Sequence, residues 1–237
     1  MNRVKIQLTK KRTHCTKMSI LELHAFPASP PSRAVHMALD LLGLEYKYVE
    51  VVVLDGATRT PEYLSMNPQH TVPVLTDGNL VVTESRAAMT YLVSQHKPGQ
   101  LYPACAKKRS QIDQRLYFNI GTFYQRMGDC VYPVCFGKTK TVPEEKKESL
   151  KEALMWANQM TSCGYVLGNS MTIADVDFMA TYSTLEACHF ISLAPYKNLK
   201  VWAERMKQQI PKYAENCGKG AAAFGEWFNG NFSKGQA

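Results

Sequence analysis

The chain is predicted to fold as an α/β unit followed by an all-helical unit, and three observations carry that prediction. Between Ile20 and Lys97, short alternating or β-branched runs interleave with segments of helical period. The stretch "HKPGQLYPAC", His96 to Cys105, then interrupts with Pro and Gly and reads as a linker. Beyond it the bulky apolar residues recur at helical spacing throughout.

Each element can be justified in turn. Ile20–Phe26 reads as a strand, and Pro31–Leu42 as a helix with Val35, Leu39 and Leu42 on one face and Gly43 near its end. Tyr46–Val53 is β-branched and alternating, a second strand. A loop, Leu54 to Thr60, leads into a short helix at Pro61–Met66. Two further strands, Val72–Thr76 and Leu80–Thr83, are joined by Asp77-Gly78-Asn79, a strong hairpin signal. Ser85 to Gln95 closes the unit as a helix. The order β-α-β-α-β-β-α is that of a thioredoxin-like domain. In the second unit, Ile112, Leu116, Ile120, Phe123 and Met127 mark one helical face. Pro143 opens a charged helix with the apolar face Leu150, Leu154 and Ala157, and Leu199, Trp202, Met206 and Ile210 define another before Pro211. The divisions are a basic extension at 1–18, an α/β domain at 19–97, a linker at 98–106 and an all-helical domain at 107–237.

Net charge is +8, but residues 1–18 hold Arg3, Lys5, Lys10, Lys11, Arg12 and Lys17 and no acid. Removing those six from 28 basic residues leaves 22 against 20 acids, a body near neutral at +2. The folded part therefore carries no electrostatic signature of nucleic-acid binding. Val4, Ile6 and Leu8 alternate with period 2, wrong for an amphipathic transit helix, so the extension is expected to be disordered. No apolar run reaches the roughly 20 residues of a membrane helix. With no export signal, the seven scattered cysteines read as reduced thiols, which places the protein in the cytoplasm. Neither they nor the six histidines show metal-ligand spacing, so no metal is expected. Thr172 and Asp175 form a capping box, with Met171 and Val176 as its staple, so Asp175 reads as structural rather than catalytic.

Three motifs remain. "FPASPPSR" follows the first strand, "NPQHTVPVL" precedes the third and "ESRAAMTYL" follows the fourth. In this order, and with a helical second unit, they resemble a cytosolic glutathione transferase, and within that superfamily the insect delta/epsilon classes. The resemblance spans residues 19 to about 230, and it implies glutathione as co-substrate. Around Val72-Pro73 it implies a cis peptide that turns the backbone N–H and C=O of Val72 outward to pair with glutathione as with an added strand. By itself Pro73 also suits an ordinary strand edge. Ser85, at a helix start, suits the γ-glutamyl carboxylate, with Glu84 for the ammonium and Arg86 for added positive charge. A plain N-cap uses the same donors. The resemblance implies that His70 meets the glycine carboxylate, although a lone histidine also suits an ordinary surface or packing role. One position departs: Thr58 stands three residues before Pro61, where the family commonly has a histidine, so one contact to the glycine end is changed.

Ser29 stands where a thiol oxidoreductase would place the first cysteine of Cys-x-x-Cys, at the electropositive start of a helix. A serine hydroxyl is no base near neutral pH, and no histidine is placed to activate it as a nucleophile. It can instead donate a hydrogen bond to the thiolate of bound glutathione. Ser32 is expected to serve the helix backbone. Tyr124, Met127, Tyr132 and Phe136 are implied to line the electrophile's pocket, with Phe224, Trp227 and Phe228 capping it, although aromatics at such spacing also suit a core. The function expected is conjugation of glutathione to small hydrophobic electrophiles, in detoxification, by a homodimer. The alternatives are a non-catalytic binder of hydrophobic ligands, a glutathione-dependent peroxidase, dehydrochlorinase or isomerase, and an interaction module.

Overall fold

A computed structural model describes residues 20–233, so the basic extension at 1–18 lies outside the described residues. β1 (Leu21–Ala25) pairs in parallel with β2 (Tyr46–Glu50) and antiparallel with β3 (Val74–Asp77), which pairs antiparallel with β4 (Leu80–Val82). The resulting mixed sheet has the order β2-β1-β3-β4. A parallel neighbour requires a crossover, and α1 (Pro30–Leu41) supplies it between β1 and β2. The β3–β4 turn passes through Gly78 at φ 61°, a conformation glycine adopts without steric cost.

Alternation along β3 divides the core. Leu75 joins Leu23, Leu39, Met89 and Leu92 in the main cluster, beneath α1 and α3 (Ser85–His96). Its neighbour Val74 points to the opposite face, where it meets Val51 and Tyr63 under α2 (Pro61–Met66). All four strands are shorter than predicted, and two of the differences shape the site. β2 stops at Glu50, and the chain tightens into 3₁₀ turns at Val53–Asp55 and Ala57–Arg59. β3 starts at Val74 rather than Val72, because Pro73 has no N–H to give to a ladder.

The helical part comprises α4 (Ala106–Phe118), α5 (Tyr124–Cys135), α6 (Glu144–Met160), α7 (Ile173–Cys188), α8 (Lys197–Gln209) and α9 (Lys219–Asn231). α7 is buried on nearly every side, as a central helix must be. Asp175 at its start accepts hydrogen bonds from the Thr172 and Val166 N–H groups, each at 2.8 Å, and from Trp202 Nε1 at 2.9 Å. Its role is structural.

One expected continuity fails. The face running from Ile112 to Met127 is interrupted by a π-helical turn at Asn119–Phe123. The wider turn rotates the helix downstream of it, so Asn119 is fully buried while Ile120 is only half-buried. Asn119 offsets its burial with polar partners on α7, donating to the Asp177 carbonyl at 3.2 Å and accepting from the Thr181 hydroxyl at 3.1 Å.

The two parts meet where α1 lies on α7. Arg33 of α1 is 1% exposed and donates to the Ala28 carbonyl at 2.6 Å and, across the junction, to the Ala180 carbonyl at 3.1 Å and the Thr184 hydroxyl. Gly220 of α9 closes the same junction: a Cβ there would lie 2.1 Å from the Pro27 carbonyl oxygen and 3.0 Å from Arg33 Cδ. Gly220→Ala is therefore expected to destabilise the protein by about 1–3 kcal/mol. Gly230→Ala, with nothing within 4 Å of its Cβ, should be neutral or stabilising by up to about 1 kcal/mol. Thermal unfolding of the two variants checks the contrast.

Candidate active site

A cleft of about 220 Å³ opens between the β1–α1 turn, the Val53–Leu54 and His70–Val72 segments, and the aromatic faces of α5 and α9. Its first wall is built by the backbone. Ser29 is the N-cap of α1, with extended φ,ψ of −71°, 121°, and Pro30 follows at the first helical position, where no N–H is needed. The Ser29 N–H donates to the Phe26 carbonyl at 2.9 Å, and the Ser29 hydroxyl accepts the Ser32 N–H at 3.5 Å. That leaves the hydroxyl proton of Ser29 for donation into the cleft. The buried Ser32 hydroxyl accepts the Phe26 N–H at 3.4 Å, tying the turn back to the helix.

The second wall is the Asn-Pro-Gln-His turn. Asn67 is buried; its side chain donates to the Thr71 carbonyl at 2.9 Å and accepts the Gln69 N–H at 3.1 Å. Tyr63 adds a second donor to the Thr71 carbonyl at 2.7 Å. This holds His70 at φ 48°, exposed at the cleft edge, and is followed by a cis Val72-Pro73 peptide. Val72 lines the cleft; Pro73 is buried behind it. Thr58 is buried in the second 3₁₀ turn and is not among the residues lining the cleft.

Glu84, Ser85 and Arg86 sit at the start of α3 and do not line this cleft. Glu84 is the exposed N-cap. Arg86 has a different environment from the one its motif implies. Its Nε donates to Asp177 Oδ2 at 3.1 Å and a terminal nitrogen lies 3.0 Å from Asp177 Oδ1, so its charge is engaged by an acid of α7 that is only 1% exposed. The other terminal nitrogen donates to the Ser85 hydroxyl at 3.2 Å. Ser85 thus accepts from a cation and keeps its own proton for an acceptor outside the helix.

The third wall is aromatic. Tyr124, Tyr132 and Phe136 of α5 and its C-terminal end face Phe224 and Trp227 of α9. Tyr132 packs edge-on to Phe224 at 6.0 Å, and Phe136 edge-on to Trp227 at 5.1 Å. Burial pushes the Tyr124 and Tyr132 phenols up, so they stay protonated at neutral pH. Two expected residues are elsewhere. Met127 is fully buried in the core, since at about 100° per residue it falls on the side of α5 away from Tyr132 and Phe136. Phe228 is also buried, stacked on Phe232 rather than capping the cleft. Burial likewise pushes the Cys130 and Cys135 thiols up to about 12, so both are packing groups. Among the described residues no cluster of three or more His, Cys, Asp or Glu could hold a metal ion, and no helix is long and apolar enough to cross a membrane.

Phe26, Val53, Leu54 and Thr71 escaped sequence reasoning, because loop residues carry no periodicity to reveal which side they face. Asp177 escaped it too. An acid two residues beyond a capping box was a visible oddity in an apolar run, but its partner lies 91 positions away.

These features define a thioredoxin-like sheet joined to a helical bundle, with a hydroxyl-bearing helix start facing an apolar cleft. The family models for the glutathione S-transferase N-terminal and C-terminal domains match residues 23–100 and 84–209. A delta-class glutathione transferase of Nilaparvata lugens is 39% identical, with a TM-score of 0.85 over 89% of this chain and 99% of its own. An epsilon-class enzyme of the housefly Musca domestica is 30% identical, with a TM-score of 0.84 over 89% and 98%. A glutathione transferase homologue of Drosophila mojavensis, solved with bound glutathione, is 35% identical, with a TM-score of 0.83 over 91% and 99%. The chain belongs to the glutathione transferase family.

The Arg86–Asp177 pair yields a stability prediction. Asp177→Leu strands a largely buried guanidinium and should cost about 3–5 kcal/mol. Replacing both partners with leucine should cost less than that single change, because no uncompensated charge then remains. Urea unfolding midpoints of the two variants decide the point; a double variant weaker than the single one would contradict it.

Proposed function

We propose that the protein conjugates glutathione to small hydrophobic electrophiles, with Ser29 stabilising the glutathione thiolate. The observation that carries the reading is the position of Ser29: a helix N-cap with its hydroxyl proton free, in the same cleft as His70 and Val72 on one side and Tyr124 and Tyr132 on the other. The Drosophila mojavensis relative, solved with glutathione, supports the choice of peptide. In this reading residues 19–97 hold the peptide, with Val72 and Pro73 as the added-strand edge. His70 meets the glycine end, Ser85 the γ-glutamyl carboxylate and Glu84 the ammonium. Arg86 acts through Ser85 rather than as a free cation. The electrophile lies against Tyr124, Tyr132 and Phe136 in the helical domain, 107–237. The proposal extends to a cytoplasmic homodimer acting in detoxification.

The magnitudes divide the work. A thiol of pKa about 8.5 is roughly 7% ionised near pH 7.4, and lowering it by about two units gives roughly 90% thiolate for about 2.7 kcal/mol. The Ser29 hydroxyl supplies that interaction, since Pro30 and Pro31 have no N–H and the Ser32 N–H is bound to Ser29 Oγ. It yields only about a tenfold gain in nucleophile, so the remaining acceleration must come from holding the electrophile beside the sulfur.

The protein is expected to be retained on immobilised glutathione and released by the free peptide; a folded protein that passes through unretained would sink the reading. Ser29→Ala should lower turnover near neutral pH by at least about tenfold while binding to glutathione changes much less. Its pH–rate profile should move upward toward the free thiol's pKa, so raising the pH recovers part of the loss. Were Ser29 only a cap, the change would cost about 1 kcal/mol of stability and leave the profile in place.

A further inference from the structure

A second cavity, of about 400 Å³, adjoins the cleft. Tyr124, Tyr132 and Phe136 line both. Gly128, Asp129 and Lys138 are among the residues that complete the second. Gly128 lets the Tyr132 ring lie against the helix, since a Cβ there would stand 3.1 Å from that ring. The end of α5 builds the position of Lys138. Gly137 adopts φ 67°, and the Lys138 and Thr139 N–H groups both donate to the Pro133 carbonyl, at 2.8 and 3.2 Å. This left-handed cap turns the chain off the helix and leaves Lys138 on the chamber wall. The charges there do not cancel. Asp129 is engaged twice: Gln125 Nε2 donates to its Oδ1 at 2.8 Å, and Lys146 Nζ lies 3.5 Å from its Oδ2. Tyr124 and Tyr132 stay neutral, because burial pushes their phenols up. The Lys138 ammonium has no hydrogen-bond or ion-pair partner among the described residues. The chamber therefore combines aromatic walls with one uncompensated positive charge. A lysine near a helix C-terminus also complements the helix dipole, but that role alone gives no preference among ligands.

We propose that this side chamber belongs to the electrophile site, and that Lys138 selects apolar electrophiles carrying a carboxylate at the end remote from the reacting carbon. The inference rests on the transferase reading above and names the substrate class. The reacting end lies in the cleft with Ser29, the apolar body lies along the Tyr132 and Phe136 rings, and the carboxylate meets the Lys138 ammonium. That ion pair is partly exposed, so its worth is modest and falls with salt. The chemistry at the other end is ordinary substitution. The glutathione sulfur bonds to the electrophilic carbon, the leaving group departs with its bonding pair, and the thiol proton passes to solvent. Nothing is oxidised or reduced. Lys138 touches none of the reacting atoms; it is a specificity-determining residue.

The test uses 4-(chloromethyl)benzoate and the longer 4′-(chloromethyl)biphenyl-4-carboxylate, each beside its methyl ester, at saturating glutathione. The full chain is compared with Lys138→Gln and Lys138→Glu. Lys200→Glu is the control: it makes the same charge change on α8, which lines neither cavity. The quantity read is kcat/KM for the carboxylate divided by kcat/KM for its ester, so intrinsic reactivity cancels between variants. With at least one of the two lengths, the ratio is expected to fall at least about threefold in Lys138→Gln and at least about tenfold in Lys138→Glu. It should hold steady in Lys200→Glu. Raising salt from about 0.01 M to about 1 M should lower the ratio for the unsubstituted chain and barely move it for Lys138→Gln. Ratios unchanged in both Lys138 variants at both lengths, or an equal fall in Lys200→Glu, would overturn the proposal. So would an unsubstituted chain that binds glutathione yet turns over the esters alone, or none of the four compounds. If that chain neither binds glutathione nor turns over any of them, the transferase reading falls and takes this inference with it.

Discussion

Everything at the cleft depends on a buried cation. Arg33 is removed from water at the junction of α1 and α7, and its two terminal nitrogens donate to the carbonyls of Ala28 and Ala180 and the hydroxyl of Thr184, while Nε has no hydrogen-bond partner among the described residues. Transferring a charge into a protein interior is costly unless its hydrogen bonds are made, so each of these contacts is obligatory. One of them is to the residue immediately before Ser29; the others are on the helix at the centre of the bundle. The helix start and the helical part are thereby fixed relative to each other. Gly220 completes the arrangement by leaving room for the Pro27 carbonyl.

A second polar seam runs from Arg86 through Asp177 to Asn119 and Thr181, joining α3, α7 and the π turn before α5. Burial raises the proton affinity of the Asp177 carboxyl, and the Arg86 charge opposes that effect. A polar network in a low-dielectric interior is stable only in its satisfied arrangement, which is why it specifies geometry more than it adds stability. It sets the Ser85 hydroxyl as an acceptor toward Arg86 and, through the π turn, sets the phase from which Tyr124 emerges.

The cleft holds two kinds of preset donor, and a third stands outside it at the start of α3. The Ser29 hydroxyl follows from helix capping, the Ser85 hydroxyl from its bond to Arg86, and the Tyr124 and Tyr132 phenols from bonding to each other. None is a base near neutral pH. The chemistry such a set favours is stabilisation of anions that form in place, with the nucleophile supplied by the bound peptide.

The sequence was sufficient for features that repeat locally. The order of elements, the hairpin at Asp77-Gly78-Asn79, the capping box at Thr172 and Asp175, and the apolar faces of α6 and α8 all follow from periods and turn residues within a few positions of each other. So does the helix start at Ser29, because prolines and hydroxyls mark it directly. Tertiary structure decided the rest, for one physical reason: partners of buried polar groups are chosen by where helices cross, and crossing has no short-range signature. Arg86 reads as a free cation until Asp177 stands opposite it. Met127 and Phe228 read as pocket residues until the packing of α5 and α9 carries them into the core. Arg33, inconspicuous in "FPASPPSR", became the hinge of the site only when α7 brought Ala180 and Thr184 to its guanidinium.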